Sequence, residues 1–327
     1  MLSTLALWAV VCLPGMTAWW AELLRFVPFP AYLAPPVVAL AAAWRLRWPW
    51  RVAGLASLAI VLVSVMDLHW GRPDRGRGAF RVMTLNAKAQ SRDPTGEHEQ
   101  RIAAELMAHD ADVIVLQDAD FYVRADIPLP APIAVALNGR TLFRHEQYVI
   151  ASRYPMRDCR TFSMPTPEIT RDYLRCTLRI DDVDVDLVTV HLLSPREGLN
   201  AARREWLDGG TDEWEQNYQT RLAQVEVLLR DLAGTQRPLI LAGDLNASEA
   251  SPVVRSLKSG LVLRDAFAAG GRGYGHTHGH SLKPRFSFLR IDHILVSPSL
   301  GVRNCYVGSQ YASQHRPVIA DLLVRRD

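Results

Sequence analysis

The sequence predicts an α/β protein behind an apolar, helical N-terminal segment. Three observations carry this expectation. Short apolar runs, among them 113–116 and 239–242, stop at Asp, Asn or His, the pattern of buried strands that end at a polar edge. Between several of these runs lie stretches with apolar residues at helical spacing, the alternation an α/β layer requires. The first 70 residues read differently: Ala, Leu, Val, Trp and Pro dominate, and lysine is absent.

Within that segment, residues 2–20, 26–44 and 52–68 are apolar stretches, each approaching the roughly 20 residues that cross a bilayer as a helix. Trp19, Trp20, Trp44, Trp48, Trp50 and Trp70 stand at their ends, where amphipathic rings favour the headgroup region. A cleaved signal peptide would start with positive charge, and nothing basic precedes Arg25. Pro28, Pro30, Pro35 and Pro36 interrupt the second stretch, so a tilted or re-entrant segment is the alternative there. Arg45, Arg47 and Arg51 lie between the second and third stretches, whereas the first connection sets Arg25 against Glu22. Positive connections stay cytoplasmic, so three spans would put everything after residue 70 outside. Arg72, Arg75 and Arg77 argue the other way, but long translocated domains are less bound by that rule. The expected organisation has three parts. Residues 1–70 form a multi-pass anchor of transmembrane helices in the inner (cytoplasmic) membrane. Residues 71–79 form a flexible basic Gly/Arg linker, and 80–327 one extracytoplasmic (periplasmic) domain.

Residues 1–80 hold seven arginines against Glu22, Asp67 and Asp74, a balance of +4, which leaves −1 for the remainder of a +3 chain. A near-neutral domain lacks the overall basic character usual in proteins that neutralise nucleic-acid phosphates. Four cysteines are too few for a disulfide scaffold. Cys159 and Cys176 flank two apparent strands; in an oxidising compartment they could bridge, with two independent buried thiols as the equal alternative. Cys12 falls in the first apolar stretch and Cys305 has no evident partner.

The domain opens on a strand that ends in Thr84-Leu85-Asn86. Residues 97–109 have the spacing of an amphipathic helix with Ile102, Leu106 and Met107 inward. The next strand closes on Gln117-Asp118, with Asp120 a second carboxylate close by. An alternating run, 184–190, is closed by His191. An excursion with Trp206 and Trp214 follows, next to His191; it could contact substrate or membrane, but its residues are too unspecific to assign. A helix over 215–232 then buries Leu222, Val225, Leu228, Leu229 and Leu232. The run 237–246 enters through Pro238 and closes on Gly243-Asp244-Leu245-Asn246, a buried strand and tight turn. Asp244 is a hard oxygen ligand for a divalent cation, and Asn246 can hold a phosphate oxygen or a water without adding negative charge. A short helix begins near Pro252. The tract 270–280 alternates His276, His278 and His280, a pattern that can bind zinc; a mobile active-site loop is the preferred reading. Asp292 lies in the strand 291–296, and Ser313-Gln314-His315 precedes the last strand, 318–324.

Taken in order, Asn86, Asp118, His191, Asp244 with Asn246, Asp292 and His315 resemble the endonuclease/exonuclease/phosphatase superfamily. That group includes pancreatic-type deoxyribonucleases, abasic-site endonucleases, sphingomyelinases and inositol-polyphosphate phosphatases. The resemblance covers residues 80–327 and implies a four-layer α/β/β/α sandwich of two mixed sheets, with metal-dependent phosphoester hydrolysis as its activity. It implies that Asp292 orients His315, which deprotonates the attacking water. Asp244 and Asn246 position that water, and His191 and Asn246 stabilise the transition state. Glu146 is the nearest candidate to pair with His191, but an exposed loop glutamate is the preferred reading. Thr277 falls where the family has a substrate-lining threonine.

Two positions depart from the family pattern: Asp118 stands for Glu, and Gln314 for Asp. A shorter carboxylate and one lost negative charge weaken a second cation site. A single Mg²⁺ or Mn²⁺ held by Asn86 and Asp118 is therefore expected, with Asp244 across the phosphate. The anchor and the near-neutral charge favour a lipid-linked or membrane-proximal phosphate or pyrophosphate. The bilayer and that substrate are the expected partners, nucleic acid the less favoured one. A nuclease of the same fold and a non-catalytic binding module are the alternatives.

Overall fold

In a computed structural model, which describes residues 1–76, 78–124, 126–205, 209–279 and 286–325, the strands are placed by their alternation. In Ala79–Asn86, Phe80 and Val82 bury into one core while Met83 and Leu85 bury into another. Val113–Gln117 divides in the same way, Val113 and Val115 against Ile114 and Leu116. A strand apolar on both faces needs cover on both sides, so these strands lie inside a sheet with one face on a second sheet and the other under helices.

The first sheet has six strands, in the order Leu300–Val307, Val318–Val324, Ala79–Asn86, Val113–Gln117, Tyr148–Ser152, Thr141–His145. The second also has six: Arg264–Asp265, Asp292–Val296, Leu239–Asp244, Val183–His191, Thr170–Ile180, Met156–Pro165. Each sheet is antiparallel except for one central parallel pair: Ala79–Asn86 with Val113–Gln117, and Val183–His191 with Leu239–Asp244. Leu174, Leu187 and Ile240 of the second sheet meet Val82, Val115 and Ile150 of the first in the inter-sheet core. The helix Glu97–His109 covers the outer face of the first sheet, and Gly210–Leu232 with Pro252–Gly260 covers that of the second. The architecture is thus the α/β/β/α sandwich of two mixed sheets. In Glu97–His109, Ile102 and Leu106 are buried as expected, whereas Met107 is exposed and Ala103 takes the inward place. Cys159 and Cys176 form a disulfide across the antiparallel pair Met156–Pro165 and Thr170–Ile180.

The N-terminal segment differs from three spans. The first helix, Leu2–Cys12, has 11 residues, about 16 Å at 1.5 Å per residue, and ends at Pro14-Gly15. Trp19–Arg25 and Phe29–Ala43 are bent by 92° at the break containing Pro28. Among the described residues, Trp48–Val65 alone is one continuous helix long and apolar enough to cross a membrane, at 18 residues and mean hydropathy 1.6. After the break at Pro14, the helix Trp19–Arg25 lies against Gly210–Leu232 of the second sheet's outer layer. Trp214, which the sequence left unassigned, is fully buried; its Nε1 donates to the Trp19 carbonyl at 3.0 Å and its ring meets Phe26 edge-on. Trp206 lies outside the described residues. The stretch after residue 68 is held rather than free: His69–Trp70 pairs with Arg272–Gly273, Val302 N donates to Asp74, and Arg264 and Arg325 bind the same carboxylate.

Candidate active site

The parallel pairs place the site. Register sets Asn86 beside Gln117 in one sheet and His191 beside Asp244 in the other, all at carboxyl ends of strands. Such ends are where open α/β sheets bind ligands. Asp292, at the start of its antiparallel strand, lies directly across from Asp244. His315 precedes Val318, which pairs with Thr84 beside the end of the Asn86 strand. All seven residues singled out in the sequence, Asn86, Asp118, His191, Asp244, Asn246, Asp292 and His315, therefore gather at one rim, and all seven are buried.

Local chemistry fixes each of them. Gly243 permits Asp244: a Cβ at Gly243 would stand 1.9 Å from the Val190 carbonyl oxygen. Asp244 Oδ1 then accepts from Asn246 N at 3.0 Å, an Asx turn that tolerates the left-handed φ of 48° at Asn246. Asn246 Nδ2 donates to the Leu192 carbonyl at 2.9 Å, and Asn86 Nδ2 to Asp244 Oδ2 at 2.9 Å. His315 Nδ1 lies 2.9 Å from Asp292 Oδ2, and its Nε2 faces Asp244 Oδ2 at 3.8 Å. Burial alone would lower the pKa of His315, but Asp292 and Asp244 more than offset it and hold it above the ordinary value. His191 goes the other way, lowered by burial despite Asp244 and Asp118. His191 Nε2 is buried without a hydrogen-bond partner, 3.5 Å from Asp244 Oδ2. Burial pushes the Asp118 carboxyl up, yet His191 and Lys88 reverse this and leave it well below the usual range.

Several functional groups were missed in the sequence. Lys88 Nζ lies 2.5 Å from Asp118 Oδ2. Its signal was available: it is one of three lysines in the chain and follows Asn86 by two residues. Glu146 is exposed in the turn between Thr141–His145 and Tyr148–Ser152; Gln147 is the residue that meets His191 Nδ1, at 2.6 Å. Asp120 is exposed at the start of a short helix. Thr277 is fully buried and does not line a surface; its Oγ1 accepts from the backbone N–H groups of Ile291 and Asp292 and so holds the Asp292 strand. His276 stacks on Tyr274, while the ring of His278 lies tilted against that of His315 at 4.4 Å, and the two are in no common metal-ligand cluster among the described residues; His280 lies outside the described residues. Arg221 was read only as part of a helix, yet its Nη1 donates to the Asn246 carbonyl at 2.8 Å and contacts Glu22 Oε1 at 3.3 Å.

The donors present suit a hard divalent cation. Asn86 and Asp118 are adjacent and buried, Asp118 is held ionised, and Asp244, Asp292 and His315 bring ligand atoms within 4.8 Å of one another. Lys88 sits against one oxygen of Asp118, the position a cation bound there would share. A second acidic group, Asp67, His69 and Glu249, has its charge met by Arg290, which donates to Asp67 Oδ2 at 2.9 Å and also contacts Glu249.

A sandwich of two mixed sheets with a carboxylate–histidine dyad, a second histidine and Asp-x-Asn at one rim defines a class of phosphoester hydrolase folds. The chain belongs to the Endonuclease/Exonuclease/phosphatase family, whose model matches residues 83–315. Members are generally hydrolases of phosphoester bonds and typically use divalent metal ions. Among solved structures, the fold is similar to the mannosyl-6-phosphatase of Bacteroides thetaiotaomicron, at 17% identity over 75% of this chain and 99% of that one, with a TM-score of 0.53. It is also similar to the human Nocturnin catalytic domain, at 19% identity over 78% and 97% of the two chains, with a TM-score of 0.55. A family protein of Bacteroides vulgatus gives 16% identity over 76% and 99%, with a TM-score of 0.57. No curated protein matched.

Proposed function

We propose that this chain hydrolyses a phosphoester or phosphoanhydride bond of a lipid-linked or membrane-proximal substrate, using one Mg²⁺ or Mn²⁺ held by Asn86 and Asp118. The observation that carries the reading is the Asp292–His315 pair facing Asp244 across a buried rim that also holds Asn246 and His191. Asp292 fixes the Nδ1 proton of His315, leaving Nε2 to accept a proton from the attacking water. Asp244, whose Oδ2 is already tied by Asn86 Nδ2, orients that water. His191 Nε2 and the Asn246 carboxamide face the phosphoryl oxygens, hydrogen-bonding them as negative charge grows. The bound ion would supply charge neutralisation at the phosphoryl and leaving oxygens.

The substrate class is supported by the −1 balance of residues 81–327 and by the apolar segment packed beside the rim. An inner-membrane location with the domain on the extracytoplasmic side belongs to the same proposal. A nuclease is the second reading within the family. A non-catalytic module is favoured by two observations only, the Lys88–Asp118 contact and Gln314. The deciding experiment is phosphate release from lipid phosphates and from DNA by the full chain, with and without EDTA. His315→Ala should abolish the EDTA-sensitive release by about 10²–10⁴-fold while circular dichroism stays unchanged. Retained activity in that variant would overturn the assignment.

A further inference from the structure

The cavity over His315 has a volume of about 660 Å³ and two unlike ends. One end is the reaction rim, with His315, Asn246 and Lys88. The other is apolar and is built from two sources: Leu23, Phe26, Val27 and Pro28 of the N-terminal segment, and Leu199 and Ala202 of the helix Arg196–Arg204. The helix also brings Arg196 and Arg203 to the cavity, both exposed to solvent. Residues 23–28 lie wholly outside the part of the chain that matches the family model, so their half of this wall is an addition to the hydrolase fold.

We infer that residues 23–28 and the helix Arg196–Arg204 form a binding site for an apolar chain esterified to the reacting phosphate. The inference rests on the hydrolase reading for the phosphate end alone. Continuity decides the occupant. The apolar residues line the same cavity as His315, Asn246 and Lys88, so a group held by them shares one space with the phosphorus centre. A sugar or nucleoside would set hydroxyls and amides against Phe26, Val27 and Leu199 without hydrogen-bond partners, a costly burial. A hydrocarbon chain loses nothing there and gains from leaving water. Arg196 and Arg203, exposed at the same cavity, are placed to meet the negative charge of a phosphate-linked chain.

The test uses the full-length chain in amphipol with Mg²⁺. Calorimetry compares butylphosphonate with decylphosphonate, neither of which can be hydrolysed; in parallel, butyl and decyl 4-nitrophenyl phosphate diesters report turnover through nitrophenolate. Decylphosphonate should bind at least tenfold more tightly than butylphosphonate. Val27→Glu and Leu199→Glu, each at a half-buried position, should each bring that ratio to within about twofold of one, with thermal unfolding confirming that they fold. Equal binding of the two phosphonates in the native chain overturns the chain site, as does a decyl preference that survives both substitutions. A preference that the substitutions remove, with no nitrophenolate from either ester, supports the chain site and rejects phosphodiester hydrolysis at this rim. Turnover of both esters without a chain-length preference does the reverse.

Discussion

Two histidines within one rim are moved in opposite directions by the same balance of burial and carboxylates. His191 is buried against Gln147 and falls below its ordinary value; His315 is held by Asp292 and rises above it. The sign for catalysis follows from the role. A general base works neutral, so hydrolysis should rise with pH through a midpoint above 6.5, the ordinary histidine value. For folding the sign is opposite: a raised histidine contributes stability below pH 6.5 and loses it as pH climbs through the folded value. In Asp292→Asn the larger of the two causes of the rise is removed, Asp244 remaining. The acid limb of the pH–rate profile should then move to lower pH while kcat falls by roughly 10²-fold or more, and a limb that stays in place would show that Asp292 does not set it. Lys88 allows a second test at this scale. Its ammonium neutralises Asp118, so Lys88→Met should strengthen Mg²⁺ binding by about an order of magnitude in calorimetry, one pKa-sized unit of interaction. Unchanged affinity would mean that Lys88 and the ion do not compete.

Elements were legible where a single periodicity decided them. The helix Glu97–His109 has the bounds its spacing gave, because its glycine entry and the apolar Ile102 and Leu106 agree. The strand ends were equally readable, since each apolar run stops at the polar residue that the rim needs. The pairing of His191 was not, because a two-residue turn decides whether position 146 or 147 points inward, and the only visible cue was the acidic type of Glu146. Nor did any local pattern tie the helix Gly210–Leu232 to the N-terminal segment. There Arg221, fully buried and ringed by Phe26, Trp214 and Tyr218, finds its counter-charge in Glu22, 199 residues away. Ser251 and Arg25 complete the contacts of that carboxylate. Removing one partner of a buried pair leaves the other uncompensated, which costs about 3–5 kcal/mol. Glu22→Gln should therefore lower thermal stability by that order. It should also reduce kcat, because Arg221 holds the Asn246 carbonyl. Native stability in the variant would show that Arg221 needs no counter-charge.

At the scale of the molecule, the sandwich and the N-terminal segment cannot be read as cargo and tether. The segment contributes Val11, Phe26, Phe29, Val61 and Val65 to a core that also contains Trp214, Phe288 and Ile291. Hydropathy suggested three spans because it counts apolar residues without asking what they bury against; Pro14 and Pro28 send part of that apolar surface to the sandwich domain instead. A chain starting at residue 79 would expose those groups and strand Arg221, so it should aggregate or unfold at lower temperature than the full chain.

The proposed extracytoplasmic placement of the domain is testable through its cysteines. Cys159 and Cys176 are bridged across neighbouring strands, while Cys305 is buried and free. Disulfides persist in oxidising compartments and are rare in reducing ones. Closing a loop with a sequence separation of 17 contributes about 3 kcal/mol, so the domain has a stake in where it folds. If the domain is extracytoplasmic, denaturing cells directly into an alkylating reagent should modify Cys12 and Cys305 only. Cys159 and Cys176 should add two further labels after reduction, read as a mass shift of the intact chain. Labelling of all four cysteines before reduction would place the domain in a reducing compartment and remove the extracytoplasmic assignment.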